Sequence, residues 1–349
     1  MKSWMGKMKA IMLFGFLSLL LAGCGKENLT ALDPKGYGAE KSLDIILLTT
    51  GIMVGVFLVV IIIYTIVLAR FRRKKGDNHI PEQVEGSKKL ETIWTVIPII
   101  LVLIMGIPTV VYTFDLADTS EASSTLNINV TGHQYWWNFE YEDHNVVTSQ
   151  DLYIPVGEKV YVNMLSSDVI HSFWVPTITG KMDVNPENVN TMYIEAYEEG
   201  VYWGKCAELC GPSHSLMDFK VIVVSPEEFE QWITDMQNVD PEEVPTDAVA
   251  QEGQELFQSN CMSCHAIGDA SSAGPNLTNF GNRVHFVGYL EPTKENLVEW
   301  IMDPESLKPG NKMTGMYEVT EEEAEKIAEY LMQLKSTDVT PESAGGLID

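Results

Sequence analysis

The sequence predicts a multidomain chain: a hairpin of two transmembrane helices, then an all-β domain of sandwich or barrel type, then a small all-α domain. Three observations carry this. Two long uncharged apolar runs, Ile45–Ala69 and Ile93–Phe114, lie in the first third. Short stretches of alternating apolar and polar residues, separated by turn residues, fill the middle. A Cys-x-x-Cys-His motif sits among helix-like stretches near the end.

Each apolar run is long enough to span a membrane. As α-helices they reach about 37 and about 33 Å, against a hydrocarbon core of about 30 Å. Pro98 and Pro108 fall inside the second run, which a membrane helix tolerates when neighbouring groups satisfy the freed carbonyls. The segment between the runs holds Arg70, Arg72, Arg73, Lys74, Lys75, Lys88 and Lys89 against Asp77, Glu82 and Glu85. The positive-inside rule puts that loop in the cytoplasm and everything after about Asp115 outside. Before the runs, MKSWMGKMK and an apolar stretch from Ala10 to Leu21 read as a secretory signal peptide. Leu21-Ala22-Gly23-Cys24 resembles a bacterial lipobox, in which Cys24 becomes a lipidated N-terminus.

Net charge is −26 over 349 residues, and the acidic excess falls after residue 114, the part before it being net basic. An acidic outer half repels phosphates and excludes nucleic acid as a partner. It reads as a solvated acidic surface or as a docking face for a basic redox partner. The cysteines, Cys24, Cys206, Cys210, Cys261 and Cys264, fall as one, two and two, unlike the dense framework of a small disulfide-rich domain.

From Thr125, Leu126, Ile128 and Val130 alternate with polar residues, the period of a half-buried strand. Lys159–Leu165, Met192–Ala196 and Phe219–Val224 are further strand-like runs, with turns at Pro155-Val156-Gly157, Thr179-Gly180 and Glu199-Gly200. Within this region, CAELCGPSHSLM brings Cys206, Cys210, His214 and Met217 close together, and His171 lies 35 residues before Cys206. Thiolate, imidazole and thioether are the donors of copper electron-transfer sites. A single-copper site needs one cysteine. Two thiolates can bridge two coppers and spread one electron over both. A Cys206–Cys210 disulfide or a zinc site are the competing readings, and zinc has no need of Met217.

The loop resembles the binuclear CuA loop of cytochrome c oxidase subunit II. That resemblance implies a cupredoxin-like Greek-key barrel or sandwich in which Cys206 and Cys210 bridge two coppers. It gives His171 and His214 one copper each, with Met217 and the Glu208 carbonyl as weak ligands. It also implies that the Glu208 side chain and Asp183 face a magnesium ion at the interface with subunit I. LETIWTVIP, residues 90–98, resembles the start of the family's second membrane helix and sets Glu91 at the mouth of a proton path. A carboxylate at a helix entry, favoured by the helix dipole, is the plainer reading of Glu91. GHQYWWNFEY, residues 132–141, resembles the aromatic region that receives electrons from soluble cytochrome c. The chain has Tyr135 where the family often has tryptophan, followed by Trp136 and Trp137, which leaves the external entry route open. Core packing is the other role of these rings.

PEEFEQWI reads as a closing helix and DPEEVPTD as a linker. Cys261-Met262-Ser263-Cys264-His265 is the haem c attachment pattern, with both thiols bonding the haem and His265 in one axial position. Helix-like Ala250–Asn260 and Glu321–Lys335, Gly274-Pro275-Asn276-Leu277 and Pro309-Gly310-Asn311-Lys312-Met313 stand around it in an order that resembles a class I cytochrome c. In that family Met313 is the second axial ligand, and Met316 is its competitor. A thioether raises the iron potential relative to a second histidine.

The division expected is 1–23 signal peptide, 24–42 lipid-anchored segment, 43–69 and 91–114 membrane helices around a cytoplasmic loop at 70–90, 115–224 copper domain, 225–248 closing helix and linker, 249–336 cytochrome c domain and 337–349 tail. The resemblance implies a terminal-oxidase subunit that accepts electrons through haem c and two coppers. It passes them to subunit I, where oxygen is reduced to water and protons are translocated. No catalytic residue is expected in this chain, whose remaining histidines, His79, His133, His144 and His285, are scattered. Implied partners are subunits I, III and IV, a cytochrome c or quinol–cytochrome c reductase as donor, and membrane lipid. A free-standing membrane-anchored electron carrier or copper-handling protein is the alternative, and a quinol oxidase subunit would lack the copper ligands present here.

Overall fold

The structure, a computed structural model, describes residues 8–9, 11–16, 28–72, 76, 80 and 85–346. Cys24, and with it the expected lipidation site, lies outside the described residues, as do 73–75, 77–79 and 81–84 of the charged loop.

The apolar runs form α1 (Tyr37–Phe71) and α2 (Lys88–Leu116), with Pro98 and Pro108 inside α2. Both helices outrun the uncharged stretches. The 35 residues of α1 reach about 52 Å, well beyond a hydrocarbon core of about 30 Å. The extra turns have partners. The Tyr37 hydroxyl donates to Asp115 at the far end of α2. Tyr37 and Ala39 N–H groups donate to the Glu195 and Ile178 carbonyls, each at 3.1 Å. Gly36 pairs with Ala196, and a Cβ there would stand 2.5 Å from the Ile178 carbonyl oxygen, so only glycine lets the chain pass. Residues 28–36 continue along the β domain, where Trp203 N–H donates to the Asn28 carbonyl at 3.1 Å. The start of α1 and the end of α2 thus share one end of the hairpin with the β domain.

That domain is two five-stranded sheets. One has the order β3-β2-β1-β5-β8, built from β1 (Leu126–His133), β2 (Trp136–Tyr141), β3 (Val146–Ser149), β5 (Val160–Ser166) and β8 (Asn190–Ile194). The other has the order β4-β10-β9-β6-β7, built from β4 (Asp151–Pro155), β6 (His171–Trp174), β7 (Lys181–Val184), β9 (Gly200–Cys206) and β10 (Asp218–Val224). β1 with β5 and β4 with β10 are parallel, and the remaining ladders are antiparallel. The chain changes sheet between β3 and β4 at Gln150, with φ 73°. β1 alternates in burial, as its sequence predicts. β3, β4 and β10 are buried on both faces and therefore show no alternation. Trp137, Phe139, Phe173 and Phe219 fill the space between the sheets.

α3 (Pro226–Gln237) opens with a Ser225–Glu228 capping box and buries Phe229, Trp232, Ile233 and Met236. Trp232 stacks on Tyr153 of β4 at 4.5 Å. The helical domain follows: α4 (Ala248–Asn260), α5 (Lys294–Met302), α6 (Pro304–Leu307) and α7 (Glu321–Gln333). α4 crosses α7 at Gly253, where a Cβ would lie 2.0 Å from the Lys326 carbonyl oxygen. Phe257, Leu297, Ile301, Tyr330 and Leu331 form a core separate from that of the sandwich.

The two outer domains pack against each other. The buried Lys220 of β10 donates to the Gly288 carbonyl at 3.0 Å and lies 3.6 Å from the Trp203 ring centroid. Asn276 N–H donates to the Ser149 hydroxyl at 3.0 Å. The segment after α7 returns to the sandwich, where Val339 and Ala344 join its core and the Thr337 hydroxyl donates to Asp235 at 2.6 Å. The helical domain is thus held at both of its ends.

Candidate metal and haem centres

β6 begins at His171 and β9 ends at Cys206, and the Phe173–Cys206 pairing sets these strands side by side. From Cys206 the chain loops through Gly211, with φ 139°, to Met217 at the foot of β10. The loop folds back because its backbone bonds locally: His214 N–H donates to the Gly211 carbonyl at 3.1 Å and Leu216 N–H to that of Ser213 at 3.0 Å. The result is a buried cluster of sulfur and nitrogen. His171 Nδ1 lies 3.8 Å from Cys206 Sγ, and the two Sγ atoms are 3.9 Å apart. Cys210 Sγ lies 3.7 Å from His214 Nδ1 and 3.8 Å from Met217 Sδ. The Glu208 carbonyl oxygen is 3.2 Å from Cys206 Sγ, while its side chain is exposed.

This geometry discriminates among the readings. A disulfide has its sulfurs about 2.05 Å apart, and these are far beyond that. The donor atoms of His171, Cys206 and Cys210 all lie within 4.8 Å of one another, close enough to hold a metal. Two soft thiolates flanked by two imidazoles and a thioether make a copper-type donor set. The hydrogen bond shared with Cys210, and then one with His171, hold the Cys206 thiol well below its ordinary value despite its burial. Cys210 is pushed up by the same shared proton. A bound cation would favour the deprotonated form of both thiols.

The aromatic region stands behind the cluster. Trp137 is fully buried, 6.0 Å from the His171 ring, and its Nε1–H donates to the Met217 carbonyl at 3.4 Å. Tyr135 is buried against Gly211, and Trp136 stacks on His133 at 4.0 Å. Asp183 is exposed on β7, and Glu91 lies in the first turn of α2, also exposed. The structure brings neither of these into the cluster.

A cavity of about 350 Å³ lies in the helical domain, lined by Cys261, Cys264, His265, Met313 and Met316. His265 Nδ1 sits 2.8 Å from the Pro275 carbonyl, which makes it the N–H donor and leaves Nε2 free to bind iron. Met313 is half-buried, and its N–H is held by Asn311 Oδ1 at 2.9 Å. Met316 is exposed. Apolar Leu277, Phe280, Leu297 and Ile301 complete an interior suited to a porphyrin, and His133, Gln134, Tyr135 and Trp136 of the sandwich form one wall.

Three residues have roles that the sequence reading misses. Asp168 accepts from His171 Nε2 at 2.9 Å and from Gln134 N–H at 2.9 Å. Lys312 of the helical domain also reaches Asp168, at 3.0 Å. Burial works against its charge, but these donors hold the Asp168 carboxyl well below the usual range. Gln134 Nε2 donates to the Cys210 carbonyl. Asp168 stands three residues before His171, a spacing that could have flagged it. Nothing local flags the pairing with Lys312.

A membrane-anchored chain with a thiolate–imidazole cluster and a Cys-x-x-Cys-His domain is of the class that moves electrons, and the comparisons give its family. Family models described as cytochrome c oxidase subunit II transmembrane domain, cytochrome c oxidase subunit II periplasmic domain and cytochrome c match residues 39–111, 145–225 and 250–335. Cytochrome c oxidase subunit 2 of Alkalihalophilus pseudofirmus is 48% identical over 96% of this chain and 99% of its own length. That of Bacillus subtilis is 45% identical over 94% and 98%. Quinol oxidase subunit 2 of Bacillus subtilis is 32% identical over 67% of this chain and 74% of its own length. The chain belongs to the cytochrome c oxidase subunit II family. It is a membrane-anchored component of a haem–copper oxidase, an oxidoreductase that includes subunit I, and its domains are of the copper and haem c types.

Proposed function

We propose that this subunit takes electrons in at a covalent haem c and hands them through a two-copper centre to subunit I. When bound, haem and copper accept and release single electrons, and oxygen is reduced to water in subunit I with proton translocation. The sulfur–nitrogen cluster carries this reading. Two cysteine sulfurs 3.9 Å apart, each with its own histidine within 3.8 Å, are arranged to bridge two metals.

In this reading Cys206 and Cys210 would hold the two coppers together, with His171 and His214 as their nitrogen ligands. Met217 and the Glu208 carbonyl bind weakly. Cys261 and Cys264 would attach the haem, and His265 and Met313 would hold its iron. Met313 is preferred to Met316 because it is half-buried at the cavity while Met316 is 66% exposed. Tyr135 and Trp136 line the haem cavity, and Tyr135 also packs on the copper loop at Gly211. They form a packed path between the haem cavity and the copper loop, with Trp137 buttressing the copper side. Because His133 and Trp136 face the haem cavity beside residues of the helical domain, an external donor delivers to haem c rather than to the copper loop. A soluble cytochrome c or a quinol–cytochrome c reductase fits that role.

The same reading places residues 115–224 and 249–336 outside the cell as copper and cytochrome domains, with 225–248 linking them. The loop at 70–90 is then cytoplasmic and sets Glu91 at the inner end of α2, beside a proton path. Cleavage after a signal at 1–23 would leave Cys24 lipidated. Glu208 and Asp183 are offered to a magnesium ion against subunit I, and subunits III and IV complete the assembly.

Metal analysis of the purified complex tests this reading. Cys206→Ser should remove two coppers for each covalent haem c that remains. Loss of one copper, or none, contradicts a bridged pair.

A further inference from the structure

We propose that Asp168 is a positioning residue through which the docked cytochrome domain, by way of Lys312, tunes the copper site. This inference rests on the copper assignment made above.

The Asp168 carboxylate is shared between two domains. Its Oδ1 accepts from His171 Nε2 at 2.9 Å and from Val169 N–H at 2.8 Å. Its Oδ2 accepts from Gln134 N–H at 2.9 Å and from Lys312 Nζ at 3.0 Å. The Gln134 side chain also donates to the Cys210 carbonyl, so the carboxylate is tied to both sides of the copper cluster. His171 is fully buried, and its Nδ1 faces Cys206 Sγ. Its Nε2–H is therefore committed to Asp168. Of the four donors, only Lys312 comes from the helical domain, and it adjoins Met313 at the haem cavity.

An ion pair whose lysine is 65% exposed adds little to stability. Its electrostatic effect on the imidazole is another matter. A carboxylate accepting the outer N–H of a metal-bound histidine makes the inner nitrogen a stronger donor, which favours oxidised copper and lowers its potential. A cation on the other carboxylate oxygen draws charge away and weakens that effect. With Lys312 in place, copper is the better electron acceptor. Without that cation it is the poorer one. The acceptor is thus tuned upward when its donor is seated.

The test is the copper midpoint potential, followed by electron paramagnetic resonance during redox titration of the purified full-length complex. The haem c spectrum serves as a control for folding. Lys312→Gln should lower the copper midpoint, Asp168→Asn should raise it, and Lys312→Arg should leave it near wild type. In the Asp168→Asn background, Lys312→Gln should add no shift, because the relay is already cut. An unchanged midpoint in Lys312→Gln, or an equal shift with and without Asp168, overturns the inference. If Asp168→Asn fails to retain copper, Lys312→Gln set against Lys312→Arg decides it alone: a shift in the first only supports the relay, and no shift overturns it. A copper-loaded wild type without a two-copper signature overturns the copper assignment itself, and this inference with it.

Discussion

The copper cluster and the haem cavity serve one electron path but are built in opposite ways. The candidate copper donors come from strand ends and one tight loop of a single domain, where backbone pairing sets each within 3.9 Å of its neighbour in the cluster. The haem cavity is framed by short helices around a space of about 350 Å³, and it borrows a wall from the neighbouring sandwich. A site for small ions can be fixed by sheet register. A site for a large apolar group cannot, because the group itself is the missing core. The copper domain should therefore hold its fold without metal, and the cytochrome domain should not hold its own without haem.

The largest expected effect follows from breaking the first site. Outer-shell partners of a metal cost about 10–100-fold when lost, so removal of a bridging thiolate costs more. Cys206→Ser should abolish turnover of the oxidase, measured as oxygen uptake, with haem c still attached. Retained turnover would sink the copper assignment.

The next effect sharpens the contrast. Hydrogen exchange on the purified chain should show strands β1–β10 still protected after copper is chelated. In the Cys261→Ala/Cys264→Ala double variant, protection should vanish from α4, α5 and α7. Protected helices there would mean that Phe257, Tyr330 and Leu331 suffice as a core.

Smaller again is the choice of axial ligand. Met313→Leu should shift the haem absorption and lower its potential, since the thioether is what raises it, and Met316→Leu should change neither. The reverse result would move the ligand three residues along.

The smallest effect is at the wall between the sites. Burial pushes His133 down to about 4, whereas in an unfolded chain it protonates near its ordinary value of 6.5. The unfolded state therefore binds the extra proton first. The stability His133 contributes is present above about 6.5 and is lost as pH falls towards 4. The melting temperature of the outer domains should drop by several degrees across that window. A His133→Gln variant should show a flatter dependence, and an unchanged slope would exclude His133 as the cause.

Legibility in the sequence follows the same division. The membrane helices announce themselves because lipid demands an unbroken apolar run, yet their extension to Tyr37 and Leu116 depends on partners in the β domain. β1, β5, β8 and β10 are readable from local pattern. β2 passes as a string of aromatics, and β3 and β4 are too short and too fully buried to alternate. The return of Val339 and Ala344 to the sandwich core is invisible, since two apolar residues in a polar tail carry no period. The copper loop is legible because its donors are crowded into twelve residues, 206–217. Asp168 and Lys312 meet across 144 residues, and only the packing of the domains brings them together.

The most direct test of the central claim is copper electron paramagnetic resonance on the oxidised, copper-loaded protein. One unpaired electron shared by two copper nuclei, seen as hyperfine structure from both, is the predicted result. A spectrum from a single copper nucleus would contradict the bridged pair at Cys206 and Cys210.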